Sequence, residues 1–123
     1  MKICLQPGLR MDWKNKFDQE IQKALEVRAQ GNEGQARVCA RRAAGAVVRE
    51  YFQRRGLVVR TSSAYDILLE LLQVPGLSEA ARQSAEFLTL RVTEEFKLPV
   101  TVDLVQAAQT LASDLLADPY EAQ

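Results

Sequence analysis

Apolar side chains recur every four residues at Trp13, Phe17, Ile21 and Leu25, while Lys14, Asp18, Gln22 and Glu26 hold the opposite positions. This spacing predicts an amphipathic helix over about 11–29. It is closed by Gly31-Asn32-Glu33-Gly34, with Gly31 suited to a left-handed C-terminal residue. A second helix is expected over 35–55, stopping at Gly56, with Ala40, Ala44, Val47 and Tyr51 as its buried stripe. Two alanines in that stripe let a neighbouring helix come close. Gly45 costs about 1 kcal/mol against alanine inside a helix, so it marks a candidate point of tight contact.

Leu57-Val58-Val59 has no partner run of strand-forming residues and reads as loop. Thr61-Ser62-Ser63 offers caps for a short third helix over 64–73, with Ile67, Leu68, Leu71 and Leu72 apolar. Ser78 caps a fourth helix over 79–96, with the stripe Ala81, Ala85, Leu88 and Val92. Lys97-Leu98-Pro99 breaks the pattern. Thr101 caps a fifth helix to residue 117, with Asp103 in its first turn and Leu104, Ala108, Leu111 and Leu115 inward. Pro7-Gly8 ends an irregular leader over 1–10, and 118–123 reads as a flexible tail. The expectation is an all-α chain, an up-and-down bundle of four to five helices in one domain over 11–117.

Composition sharpens the functional question. The chain of 123 residues has 16 basic and 16 acidic side chains, no histidine and two cysteines. Without histidine there is no imidazole base, no Ser/His or Cys/His nucleophile pair and no histidine metal ligand. Cys4 and Cys39 are too far apart in sequence for a CxxC pair; Cys39 lies in an alanine-rich helical stretch and reads as a small core residue. Glu94-Glu95 point about 100° apart on a helix and cannot face each other as a catalytic pair. Ser62 and Ser63 read as caps, and Gly31–Gly34 lacks the Gly-Lys-Ser/Thr ending of a phosphate loop. No catalytic residue, metal or cofactor is expected, and the chain does not read as an enzyme.

The longest apolar run, residues 43–48, is far below the ~20 residues of a membrane span, and the N-terminus lacks a signal-peptide core. A reducing, cytoplasmic setting fits these features.

Charge is unevenly placed. Residues 35–60 carry Arg37, Arg41, Arg42, Arg49, Arg54, Arg55 and Arg60 against Glu50 alone, whereas residues 61–123 carry three basic and ten acidic side chains. In a compact bundle the acidic helices pack beside the basic one, so pairing between them accounts economically for most of the asymmetry. Arg42 and Arg49, seven residues apart, share an outward stripe with Gly45 and form the candidate phosphate-binding pair.

An aromatic-led helix and a glycine turn lead to the helix Ala36-Arg37-Val38-Cys39-Ala40-Arg41-Arg42-Ala43-Ala44-Gly45-Ala46-Val47-Val48-Arg49-Glu50-Tyr51-Phe52, then to the short Tyr65–Leu72 helix and to two longer helices around Lys97-Leu98-Pro99. This order of features resembles the HEPN superfamily over about residues 11–117. The resemblance implies a helical bundle, often a homodimer, in prokaryotic nucleotide-linked or toxin–antitoxin systems. It also implies RNA cleavage, or binding of nucleotides or of a partner such as a nucleotidyltransferase. Catalytic members carry Arg, then four to six intervening residues, then His. Arg91 is the matching arginine, but Phe96, Lys97 and Leu98 stand where histidine is required. Arg91 therefore carries over as a ligand contact without the acid–base partner. The expectation is a non-catalytic HEPN-like domain acting by protein–protein association, with nucleotide or RNA binding through Arg42, Arg49 and Arg91 as the alternative.

Overall fold

The computed structural model describes residues 5–90 and 103–116, with side chains from residue 13 onward. Within them lie α1 (Leu5–Ala29), α2 (Glu33–Arg54), α3 (Ala64–Leu71), α4 (Glu79–Leu88) and α5 (Leu104–Leu115), and no strand among the described residues. The all-α bundle expected from the periodicity is what forms. None of the described helices is long and apolar enough to cross a membrane.

The α1–α2 connection is set by local chemistry. Gly31 takes φ +87°, where a side chain would be strained, and the Asn32 N–H returns to the Val27 carbonyl at 2.8 Å. Asn32 then caps α2 by accepting from the Gln35 N–H at 3.1 Å. A turn this short folds α2 back antiparallel to α1.

α2 is the hub, packing on α1, α3 and α5 and more lightly on α4. Ala36, Cys39, Ala40, Ala43, Ala44, Gly45, Val47, Val48 and Phe52 are all buried, an arc much wider than the predicted stripe. Small residues make that possible, because several neighbours approach one helix only where its side chains are short. Cys39 is a free, fully buried thiol, as expected. Fully buried Ile67, Leu68 and Leu71 of α3, Leu88 of α4 and Leu104 and Leu111 of α5 complete the core.

Several sequence expectations are corrected. Residues 5–10 belong to α1 instead of an irregular leader. Pro7 is the third residue of that helix, where its missing N–H would have had no helical acceptor. Leu25 is 44% exposed while Ala24 is buried. Each four-residue step advances about 40° around a helix, so the stripe begun at Trp13 drifts off the core by Leu25. The aromatic buried at the end of α2 is Phe52, with Tyr51 only half-buried.

α4 ends at Leu88 instead of running to 96. The Thr89 hydroxyl donates back to the carbonyls of Ala85 and Glu86, both at 3.0 Å, and closes the last turn. Asp103 is itself the cap of α5, accepting from the N–H groups of Val105 and Gln106 at 3.0 and 3.3 Å. Ser78 caps α4 and donates its hydroxyl to Asp114 of α5, tying the two helices together. Cys4, Val92, Glu94, Glu95, Phe96, Lys97, Leu98, Pro99 and Thr101, with the expectations attached to them, lie outside the described residues.

Candidate functional site

Gly45 fixes how α2 meets α3. A Cβ at this position would lie 2.9 Å from the Ala64 Cβ and 3.3 Å from the Ala64 Cα. The glycine is therefore buried against the first residue of α3 and does not face solvent with the arginines. Ser63, which caps α3 by accepting from the Asp66 N–H at 3.2 Å, holds that helix start in place.

Around this contact opens a cleft of about 440 Å³. α2 supplies Val38, Arg41, Arg42, Gly45, Ala46 and Arg49; α1 supplies Lys16; Ser62, Ala64 and Tyr65 form the opposite wall. Arg42 and Arg49, singled out by their spacing, are thus brought to one concave surface. Arg91, the third candidate, lies outside the described residues. Lys16, Arg41, Ser62 and Tyr65 were not anticipated as members of the site. No local sequence signal marks them, because the chain only meets itself there once α3 docks on Gly45.

The four cations differ in how firmly they are held. Arg41 reaches the C-terminal end of α4, donating Nε to the Leu88 carbonyl at 2.7 Å and Nη2 to the Leu90 carbonyl at 2.6 Å. It thereby satisfies carbonyls that a helix end leaves without partners. Arg49 donates Nη1 to the Thr61 carbonyl at 2.7 Å and so pins the loop before α3 to α2. Lys16 lies 3.2 Å from Glu20 Oε2 one turn along α1. Glu20 is buried and its other oxygen has no hydrogen-bond partner among the described residues. Arg42 is exposed and makes no hydrogen bond or ion pair among the described residues.

Among the described residues, no carboxylate lines the cleft. The expected cross-pairing of α2 with the acidic helices is not what the described residues contain for Arg37, Arg42, Arg49, Arg54 and Arg55. Arg54 pairs within α2, to Glu50 at 2.9 Å, and Arg55 packs on its neighbour Tyr51, 5.2 Å from the ring centre. The acid of α5 that does form an ion pair, Asp103, is met instead by Arg28 of α1 at 3.1 Å. Arg28 also grips Glu33 with two bonds, at 2.9 and 2.8 Å. Glu33 first, then Asp103, raises the Arg28 guanidinium above its already high value. Burial pulls the Asp103 carboxyl up, but the Arg28 bond and the N–H groups of Gln106 and Val105 outweigh it and hold the group below its ordinary value. Of Lys16, Arg42 and Arg49, Lys16 alone has a carboxylate partner among the described residues.

A second concavity, between α4 and α5, is lined by Gln83, Ser84, Phe87, Asp103, Gln106 and Thr110 among others, and a third by Phe52, Arg55, Leu57, Val58, Glu70 and Val74 among others. Among the described residues, neither gathers like charges. No group of three or more Cys, Asp or Glu able to hold a metal occurs among the described residues. The chain matches no protein-family model, and comparisons with curated proteins and with solved structures give no match.

Proposed function

We propose that this chain is a non-catalytic, HEPN-like helical domain that acts by binding, and that its basic cleft receives a phosphate-bearing ligand, a nucleotide or RNA. One observation supports the reading above the rest: Arg41, Arg42, Arg49 and Lys16 share a cleft that no carboxylate lines among the described residues. A cationic concavity with low-dielectric walls concentrates anions, and guanidinium groups already held by carbonyls meet a phosphate with little reordering. The absence of histidine from the whole chain supports binding without cleavage.

Association is the second reading, with a second copy or with a partner protein such as a nucleotidyltransferase. It draws on Leu57 and Val58, 49% and 74% exposed beside an apolar groove.

The deciding experiment titrates labelled single-stranded RNA and labelled nucleotide into the wild type and the Arg42→Glu/Arg49→Glu double variant at two salt concentrations. The reading expects binding that weakens with salt and is lost in the double variant. Unchanged affinity in the variant refutes it. Light scattering on the same samples addresses self-association, and a monomeric mass at high concentration in both salts removes that form of the second reading.

A further inference from the structure

We infer that Ser62 is a phosphorylation site for a serine/threonine protein kinase of the class that reads basic residues, and that the added phosphate folds back onto Arg42 and Arg49. The inference goes beyond the phosphate-binding reading and does not need it, because the phosphate concerned is carried by the chain itself.

Three hydroxyls stand together before α3, and the fold leaves one of them uncommitted. The Thr61 hydroxyl accepts from the Ser63 N–H at 3.0 Å. Ser63 caps α3, accepting from the Asp66 N–H at 3.2 Å. A phosphate on either would disturb a bond that sets the start of that helix. Ser62 is exposed and its hydroxyl makes no hydrogen bond among the described residues. Residues 57–63 belong to no helix or strand, so the acceptor can be drawn into an active site without unwinding an element. Arg60, also exposed, stands two residues before it and supplies the positive charge that an acidic kinase groove selects.

The receiving groups are already placed. Arg49 donates Nη1 to the Thr61 carbonyl at 2.7 Å, and that carbonyl belongs to the peptide bond leading into Ser62. The guanidinium thus lies one peptide unit from the acceptor and keeps further N–H donors for an anion. Arg42 lines the same cleft as Ser62, is exposed, and makes no hydrogen bond or ion pair among the described residues. Lys16 of α1, Arg41 of α2 and Tyr65 of α3 line it too, and exposed Asp66 follows in the first turn of α3. A phosphoserine carries about −1.5 to −2 charges at neutral pH, and opposite arginines it forms about one to three charge-assisted hydrogen bonds. Ser62 also directly precedes the cap of α3, where negative charge meets the positive end of the helix dipole.

The transfer balances with the kinase and a nucleoside triphosphate as co-reactants. The bond from Ser62 Oγ to the γ-phosphorus forms as the bond from that phosphorus to its bridging oxygen breaks. The nucleoside diphosphate leaves, and the hydroxyl proton passes to the kinase's base and then to water.

The first part of the test treats the full chain with a kinase that requires upstream arginine, ATP and magnesium, read by intact mass and peptide mapping. Ser62→Ala and Arg60→Ala are treated alike, with the peptide of residues 55–67 as a control. One phosphate on Ser62 is expected, none in Ser62→Ala, and labelling slowed several-fold in Arg60→Ala. Label on Thr61 or Ser63, or a folded chain left unlabelled whether or not the peptide is labelled, overturns the inference. The second part introduces phosphoserine at position 62 during synthesis and follows it by phosphorus NMR. The phosphate is expected to titrate lower in the folded chain than in urea, because guanidinium groups favour the dianion, and to raise the urea midpoint. Both effects are expected to shrink in Arg42→Gln, whose exposed side chain holds nothing in the fold. A phosphoserine that titrates alike folded and unfolded, a midpoint that does not rise, or effects unchanged in Arg42→Gln overturn the inference. An unmodified protein that binds no RNA or nucleotide at low salt removes the phosphate-binding reading alone. A phosphorylated chain that binds them as tightly as the unmodified one overturns the present inference alone.

Discussion

Replacing Gly45 with alanine tests the packing that creates the cleft. Two effects oppose each other. Alanine in a helix interior is favoured over glycine by about 1 kcal/mol. Against that, the new methyl would lie 2.9 Å from the Ala64 Cβ and 3.3 Å from its Cα, with the Ile67 Cγ2 at 3.9 Å. Carbon atoms in contact settle at about 3.5–4.0 Å, and Ala64 has no side-chain torsion by which to retreat. α3 must therefore move as a body, and overpacking of this kind costs about 1–3 kcal/mol. The expected net is a loss of about 1 kcal/mol. Urea unfolding reads it as a midpoint lowered by about half a molar, with an unchanged slope. Ala64→Gly should rescue part of the loss, since it removes the methyl that the new one strikes. A double-mutant cycle should then give a favourable coupling of about 1 kcal/mol or more. A Gly45→Ala protein as stable as wild type, or more stable, refutes the close approach of α2 and α3.

Asp103 gives a pH-dependent prediction. Its carboxyl is held below its ordinary value of 3.8, so the stability it contributes is fully present above that value and is lost as pH falls through the lower, folded value. The stability difference between wild type and Asp103→Asn should be constant above about pH 5 and shrink below pH 4. Because the side chain is half exposed and screened, the difference itself should be no more than about 1 kcal/mol. Cys39→Ser should cost about 1–3 kcal/mol in urea unfolding, since it puts a hydroxyl in a fully buried position. A stability equal to wild type would mean that this thiol is not in the core.

The helices were legible because each carries its own punctuation. Gly31 and the serines at 63 and 78 act where the sequence places them, and the apolar periodicity chooses most of the inward faces. What escaped was decided between elements. Leu25 and Tyr51 fit the spacing rules, yet packing selects Ala24 and Phe52, because helical drift and the contact with several neighbours are not visible in one periodic row. Gly45 could be flagged as costly, but only the docking of Ala64 against it reveals what the glycine is for. The charge asymmetry suggested a helix neutralised by its neighbours. A guanidinium satisfied by carbonyls, as Arg41 and Arg49 are, leaves no trace in a count of charges. The Arg42–Arg49 pair was recoverable from spacing because two helical turns keep both on one side. Lys16, Ser62 and Tyr65 join it only through the tertiary fold.

The measurement that reaches the central claim most directly is the two-salt nucleotide titration of wild type and the Arg42→Glu/Arg49→Glu variant, read residue by residue by NMR. The account predicts that, in the wild type, shifts concentrate at Arg42, Ala46, Arg49, Ser62 and Tyr65, fade at high salt, and vanish in the variant. Shifts centred instead on Gln83 and Thr110 between α4 and α5, or unchanged in the variant, would contradict it.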